Sequence, residues 1–581
     1  MTTPAVLDDP LTRAVVDRLI RPDYPAFEAQ LRSSGYCAQP VRLQGRVEVC
    51  DGHGRRREVW TTDSEPDGVL RKACGNRREA VCGPCAERYR GDAWQLIAAG
   101  LRGGKGIPES VMGHPAVFVT LTAPSFGVVH AHLLGPDGEP VRCRPRRERP
   151  VCEHGNPLSC SRMHGPDDPC LGEPLCPDCF DYEGAVVWNN LLGELWRRSM
   201  IYLPRRMAKL AGITHKRLHE QVRVSYVKVA EYQHRGLVHL HALIRLDKRM
   251  PAYRADELRA PAKRFTVQLL EDALRGAVQE VSVQIPDELG AGTIGWGKQL
   301  DVEQLSTDEQ QRGRKAGYLA KYTTKSTEQA GGLLRRITRE EVDHVAVSEH
   351  NRRYLRIAFT LHDRNVEAIA ADPLPTPPPS PPRPAPATSA DPNELVLRIV
   401  RAMSSSEQVT IRMHLGAEHV GRIVRRTAEG LVLDTGIEIA VAGVCAITAA
   451  PLQPPQRDKR DRRLAACAHT YGHRGHCVSK SRKWSVRFKD LRQVRVDHVH
   501  DRLRTEGDEA QRALAELDAE QRIGRFEFVG VGHLTTADAL LAAQAAARAR
   551  EQRELAREAL TTAHHRHTSH RCDPPADQTR P

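Results

Sequence analysis

The chain has 581 residues, 40% of them hydrophobic, with 15 cysteines and a formal charge of +13. That length exceeds what one hydrophobic core usually spans, so several domains are expected, and the basic excess favours a polyanion, nucleic acid first, as partner. The longest apolar run, Ile439–Ile447, is too short to span a bilayer and the N-terminus lacks a secretory pattern, which predicts a cytoplasmic protein with no membrane partner.

Eleven of the cysteines fall before residue 180, and their total is odd. CxxC spacings among them suit metal better than a ladder of disulfides. In the N-terminal region, 1–110, "ACGNRREAVCGPCAER" offers Cys74, Cys82 and Cys85. The Cys82/Cys85 pair closes around one tight turn, the bite that tetrahedral zinc needs. Cys37, Cys50 or His53 could complete the set.

The next region, 111–371, opens with "AVFVTLTAPSFG" (116–127), a strand with Thr120 and Thr122 on one face. A Cys-rich stretch follows at 150–180. It holds Cys152, His154, Cys160, His164, Cys170 and the CxxC pair Cys176/Cys179. Its Pro and Gly content leaves little core, so structural zinc is expected to replace one, with Cys152, Cys160, Cys176 and Cys179 as ligands.

"VRVSYVKVAEYQHRGLVHLHALIRL" reads as strand, turn and returning strand. Alternation puts His239 and His241 on one face, with Val238, Leu240 and Ala242 on the other. Glu231 lies eight residues before His239 and can reach the same face across the hairpin. Two imidazoles and a carboxylate leave open positions on a divalent ion, as a catalytic site requires, and Mg²⁺ or Mn²⁺ fits when phosphate supplies further oxygens. "RKAGYLAKYTTKST" (314–327), if helical, lines up Tyr318, Lys321, Tyr322 and Lys325 at i, i+3, i+4 and i+7.

A proline-rich linker spans 372–393. After it, 394–453 alternates short apolar strands with Gly-containing turns, as in a small β-rich insert. A basic and helical C-terminal region covers 454–562, with a strand at "RFEFVGVG", and a disordered tail is expected at 563–581. "CAHTYGHRGHC" (467–477) fits no familiar ligand set.

Taken in order, "FVTLT", "HLH" and "YLAKYTTK" resemble the three motifs of the HUH endonuclease superfamily of rolling-circle initiators. Within it the chain resembles actinobacterial plasmid replication initiators of the RepSA type, through "CGNRREAVCGPCAER", "LCPDCFDYEGAVVWN" (175–189), "GYLAKYTTKS" (317–326) and "SKSRKWSVRFKDLR" (479–492). The linker and the β-rich insert fall outside that resemblance. It implies an HUH-type antiparallel sheet with flanking helices, so an α+β fold is expected, to which the residues add zinc-binding inserts, the linker and a mixed C-terminal region.

The resemblance also implies roles. Glu231, His239 and His241 would be metal ligands, and Tyr322 and Tyr318 nucleophiles beside Lys321 and Lys325. Tyr322 best fits the single-tyrosine Y-x-x-K pattern, and a two-tyrosine relay stays open. The implied activity nicks and rejoins origin DNA, single-stranded or extruded as a hairpin, leaving a 5′-phosphotyrosine and a free 3′-hydroxyl. Host helicase and polymerase are the implied partners. The alternatives are a relaxase or transposase of a mobile element with the same chemistry, or a zinc-dependent DNA-binding regulator with an inactive nuclease fold.

Overall fold

The computed structural model describes residues 9–50, 56–254, 256–372, 461–506, 512 and 522–569, together with five strands between 408 and 450. It divides into two compact units, 1–361 with 463–581, and 362–462. The fold is mixed α/β, and every ladder between its strands is antiparallel.

At the centre of the first unit lies a five-stranded sheet. Its order is Leu300–Gln304, Ala116–Leu121, Val238–Lys248, Val222–Tyr232 and Val478–Lys480. The histidine strand, Val238–Lys248, is the middle one, and almost all of it is buried because helices cover both faces. Val238, Leu240, Ala242, Ile244 and Leu246 pack into one core with Trp188 and Leu195 of helix Tyr182–Leu210 and Leu274 of helix Val267–Glu280. The opposite face carries a second core. There Leu243 and Phe118 meet Leu96 and Ile97 of helix Gly83–Arg102, Leu319 and Tyr322 of helix Glu309–Tyr322, and Trp484. The period-two pattern of the strand thus divides its side chains between two cores.

The hairpin that leads into the histidine strand is held from outside. Gln233 N donates to Leu237 O, and Gly236 takes the left-handed φ of +78° that the turn needs. Buried Asn189, inside the long helix, donates to Gly236 O at 2.9 Å and accepts from Val238 N at 3.2 Å. The Tyr354 hydroxyl donates to Arg235 O at 2.8 Å.

The N- and C-terminal segments build the second larger sheet of this unit together. Strand Arg522–Val531 pairs along Val41–Cys50, which also pairs with Arg56–Thr61 and Leu70–Lys72. Helix Thr536–Ser569 seats Leu541 and Ala542 against Phe27 and Leu31 of helix Tyr24–Ser33. The C-terminal segment, expected as a region of its own, therefore contributes strands to both larger sheets. The last helix also runs through residue 569, past the start expected for a disordered tail, and 570–581 lie outside the described residues.

In the second unit the strands follow the order Glu438–Ala440, Gly430–Leu433, Glu418–Arg426, Gln408–Met413 and Val444–Ala450. The last of these strands in the chain, Val444–Ala450, returns to pair with the first, Gln408–Met413. From residue 373 onward the proline-rich linker lies outside the described residues. No helix among them is long and apolar enough to cross a membrane.

Candidate active site and metal clusters

Register decides the first cluster. Glu231 is paired directly with His239 across the hairpin, and His241 is paired with Thr120 of the neighbouring strand. Side chains opposite one another on a sheet stand close enough to interact. Glu231 Oε2 lies 2.7 Å from His241 Nε2, and Thr120 Oγ1 lies 3.0 Å from His241 Nδ1. One ligand atom from each of Glu231, His239 and His241 falls within 4.8 Å of the others. Burial, then neighbouring His241 and Arg235, pulls the His239 pKa down to about 3. Its imidazole is neutral at pH 7, the form that binds metal. The donor set and its spacing fit a divalent cation with positions left open.

Helix Glu309–Tyr322 delivers both tyrosines to this cluster. It starts at Asp308, whose carboxylate accepts from Gln310 N, and it packs along helix Gly83–Arg102. The Tyr322 ring stacks on His241 with centroids 5.2 Å apart and planes 23° from parallel. Tyr318 meets His241 edge-on at 5.5 Å, Tyr322 at 5.0 Å and Phe118 at 5.7 Å. Tyr318 is 41% exposed and Tyr322 only 9%. Burial, then a hydrogen bond with Tyr318 and the nearby Glu231 charge, pushes the Tyr322 pKa above its ordinary value.

The expected stripe of four residues is not one helical face. The helix ends at Tyr322, so Lys325 follows in the turn beyond it, with its N–H directed to Tyr322 O. Its ammonium still lies 5.4 Å from the centre of the Tyr322 ring. Lys321 is exposed. A cleft of about 1170 Å³ opens beside the cluster, with Glu231, His239 and Lys325 in its lining and Arg144, Arg235 and Lys298 adding positive charge.

Among the described residues, three further four-residue clusters contain cysteine, one of them cysteine alone. Cys37 completes the first set with Cys74, Cys82 and Cys85. The side chain of Cys50 and all of His53 lie outside the described residues. Sulfur separations of 3.6–3.7 Å match the edge of about 3.8 Å that a tetrahedron with ~2.3 Å Zn–S bonds would have. Backbone N–H groups of Ala38 and Cys74 point at two of the sulfurs, as around thiolates.

The Cys-rich stretch divides into two sets where one was expected. Cys152, Cys176 and Cys179 gather with His154. Cys160 does not join them; it sits with His130, Cys143 and His164. The cause is a backbone bridge between Arg144 and Cys160, which draws Cys160 back toward Cys143. His164 is oriented by Asp168, 2.8 Å from its Nδ1, the carboxylate–histidine pairing usual behind a metal ligand. His130 and Cys143 were missed by sequence reading, since neither lies in a CxxC; the Cys160-x₃-His164 spacing was the available signal. In "CAHTYGHRGHC" the side chains part: His473 is buried with Nδ1 3.3 Å from Asn189 O, while Cys477 Sγ approaches Thr323 O.

Against known proteins, the chain matches the RepSA family, described as "Replication initiator protein, pSAM2", over residues 23–377 and 405–547. The chain belongs to this family of replication initiator proteins. It is 34% identical over 572 residues to a "Replication initiator protein" of Streptomyces ambofaciens, covering 96% of this chain and 97% of that one. No solved structure matches. The family match includes 405–453, so most of the β-rich segment that the sequence reading set apart as an insert is shared by the family.

Proposed function

We propose that this initiator nicks and rejoins one DNA strand at a plasmid or integrative-element origin through a tyrosine of the HUH type. The observation that carries the reading is the cluster of Glu231, His239 and His241 with the rings of Tyr318 and Tyr322 against His241, beside a basic cleft. A single-stranded or hairpin origin segment would lie in that cleft, its backbone met by Arg144, Lys298 and Lys325.

Glu231, His239 and His241 would hold Mg²⁺ or Mn²⁺, which when bound polarises the scissile phosphate. A phenolic oxygen gives up its proton and attacks phosphorus, the bond to the 3′ oxygen breaks, and that oxygen takes up a proton in turn. The products are a 5′-phosphotyrosyl link and a free 3′-hydroxyl able to prime synthesis. Attack by the 3′-hydroxyl of a finished strand reverses the step and restores the phenol.

The Y-x-x-K pattern favours Tyr322 as nucleophile, exposure favours Tyr318, and their mutual contact suits a relay in which each acts once. Lys325, near the Tyr322 ring, would stabilise a developing phenolate. Zn²⁺ at the three four-residue clusters that contain cysteine would hold the N-terminal region and the cleft wall in shape. In cells, the nicked origin would be passed to host helicase and polymerase in the cytoplasm.

The test is cleavage of labelled single-stranded origin DNA with Mn²⁺ or Mg²⁺, read on denaturing gels as covalent adduct. Adduct from wild type that disappears in His239→Ala/His241→Ala supports the reading. Tyr318→Phe and Tyr322→Phe then assign the nucleophile, with partial loss in each for a relay. Tight origin binding by wild type without adduct would leave a DNA-binding regulator instead.

A further inference from the structure

The C-terminal helix Thr536–Ser569 separates its charges around its axis. Arg550, Arg553 and Arg557 recur at i, i+3 and i+7 and share a face with Ala546, while Glu551, Glu554 and Glu558 fall on a neighbouring arc. The arginine face lines a cavity of about 400 Å³. Arg32 and Tyr36 form a second wall, at the end of helix Tyr24–Ser33, and Glu87 and Arg88 on helix Gly83–Arg102 form the third. Five guanidinium groups and one carboxylate therefore border a single concavity. The carboxylate, Glu87, is engaged by Arg553 at 2.8 Å.

The backbone makes room for this arrangement. Gly35 has φ +67°, and a Cβ there would collide with the Arg88 guanidinium. The left-handed φ opposes a side chain here, and a Cβ would displace the Arg88 guanidinium from its place over Gly35. Bringing like charges together costs stability, and an anion that accepts their hydrogen bonds offsets the cost.

We propose that this arginine pocket binds the phosphodiester backbone of duplex DNA flanking the nick site. Planar guanidinium forks match phosphate oxygens, and the lining has one aromatic ring, Tyr36, where a single-strand groove would present several for base stacking. The proposal rests on the origin-nicking reading for its choice of DNA as ligand. One wall of the pocket is the helix that Cys82 precedes and that contains Cys85, so a duplex held there would be anchored to the element that packs along the tyrosine helix.

The experiment measures duplex affinity of the full chain across a salt series, for wild type and for Arg550→Gln/Arg553→Gln/Arg557→Gln. Each lost phosphate contact lowers the slope of log K against log salt by about 0.9, so a fall of roughly 2 to 3 is expected. Arg32→Gln/Arg88→Gln, on the other walls, should lower it by about 1 to 2. Adduct formation on a short single-stranded oligonucleotide should stay unchanged in both variants. An unchanged slope in both, or no duplex binding by wild type, overturns the proposal. Inorganic phosphate binding that the arginine variants lose, with their duplex slope left unchanged, also overturns it, by assigning the pocket to the free ion. Absence of adduct from wild type would count against the nicking reading alone, because the salt slope reads the pocket without any cleavage.

Discussion

One guanidinium nitrogen of Arg77 donates to the carbonyls of both Thr323 and Lys325, at 3.1 and 3.0 Å. Arg77 sits in the loop between Cys74 and Cys82, and its neighbours extend the contact: Glu79 N donates to Thr324 O, and Arg78 to Leu334 O. The last carbonyls of a helix have no partner within it. Here the cysteine loop meets the turn that closes the tyrosine helix, so the Cys37, Cys74, Cys82 and Cys85 set and the proposed nucleophiles form one mechanical unit. Arg77→Ala should slow adduct formation by about 10- to 100-fold, the size expected when two such hydrogen bonds no longer position the reacting group. Single-stranded DNA affinity should stay within about twofold, since Arg77 does not line the cleft. Single-turnover rates beside binding titrations separate the two effects, and a parallel loss of both would refute a positioning role.

Metal content gives a sharper check on the clusters than any single ligand change. Three four-residue sets containing cysteine predict three zinc ions per chain by elemental analysis. Cys160→Ala should lose one zinc and Cys152→Ala a different one, so the double variant should lose two. If Cys160 belonged with Cys152, Cys176 and Cys179, the double variant would lose no more than either single one. Cys37→Ser should lose the zinc beside the tyrosine helix and, through Arg77, slow the adduct as well.

A buried network away from the site sets an acid limit on stability. Asp247 accepts from Ser225 Oγ at 2.6 Å and Arg245 Nε at 2.7 Å, and lies 2.8 Å from His114 Nδ1. Burial opposes its charge, but these partners win and bring its pKa down to about 2. A carboxylate with a depressed folded pKa contributes stability above its unfolded value near 4, lost as pH falls toward 2. The shift corresponds to about 2 kcal/mol. Denaturant midpoints should therefore drop more steeply between pH 4 and 2 in wild type than in Asp247→Asn, which should already be destabilised at pH 7. Parallel pH curves for the two proteins would remove Asp247 as the cause.

What the sequence revealed follows from how local each feature is. His239 and His241 share a face because a strand has period two, and Glu231 joins them through a short turn, so all three were legible in 11 consecutive residues. Cys82 and Cys85 were legible for the same reason. Cys37 was one of three candidates, because the strands between it and Cys74 set the distance. The split of the Cys-rich stretch was hidden, since the bridge from Arg144 to Cys160 obeys no local spacing. So was the pairing of Arg522–Val531 with Val41–Cys50, formed between opposite ends of the chain. Lys325 was placed on a helix that stops three residues before it, although the turn leaves it beside the same ring.

Thr120 offers the most specific test of the histidine site. Its hydroxyl is 3.0 Å from His241 Nδ1, and strand pairing fixes it opposite that histidine. A partner at Nδ1 sets the tautomer and leaves Nε2, the nitrogen facing Glu231, to act as ligand. Thr120→Val keeps the β-branched shape in the strand and removes only the hydroxyl. It should weaken Mn²⁺ activation of adduct formation by about 10-fold or more, with the rate largely recovered at saturating metal. A structural role alone would lower thermal stability and leave the Mn²⁺ half-saturation point where it was. An unmoved half-saturation point would therefore show that Thr120 does not tune the ligand, whatever it contributes to the strand.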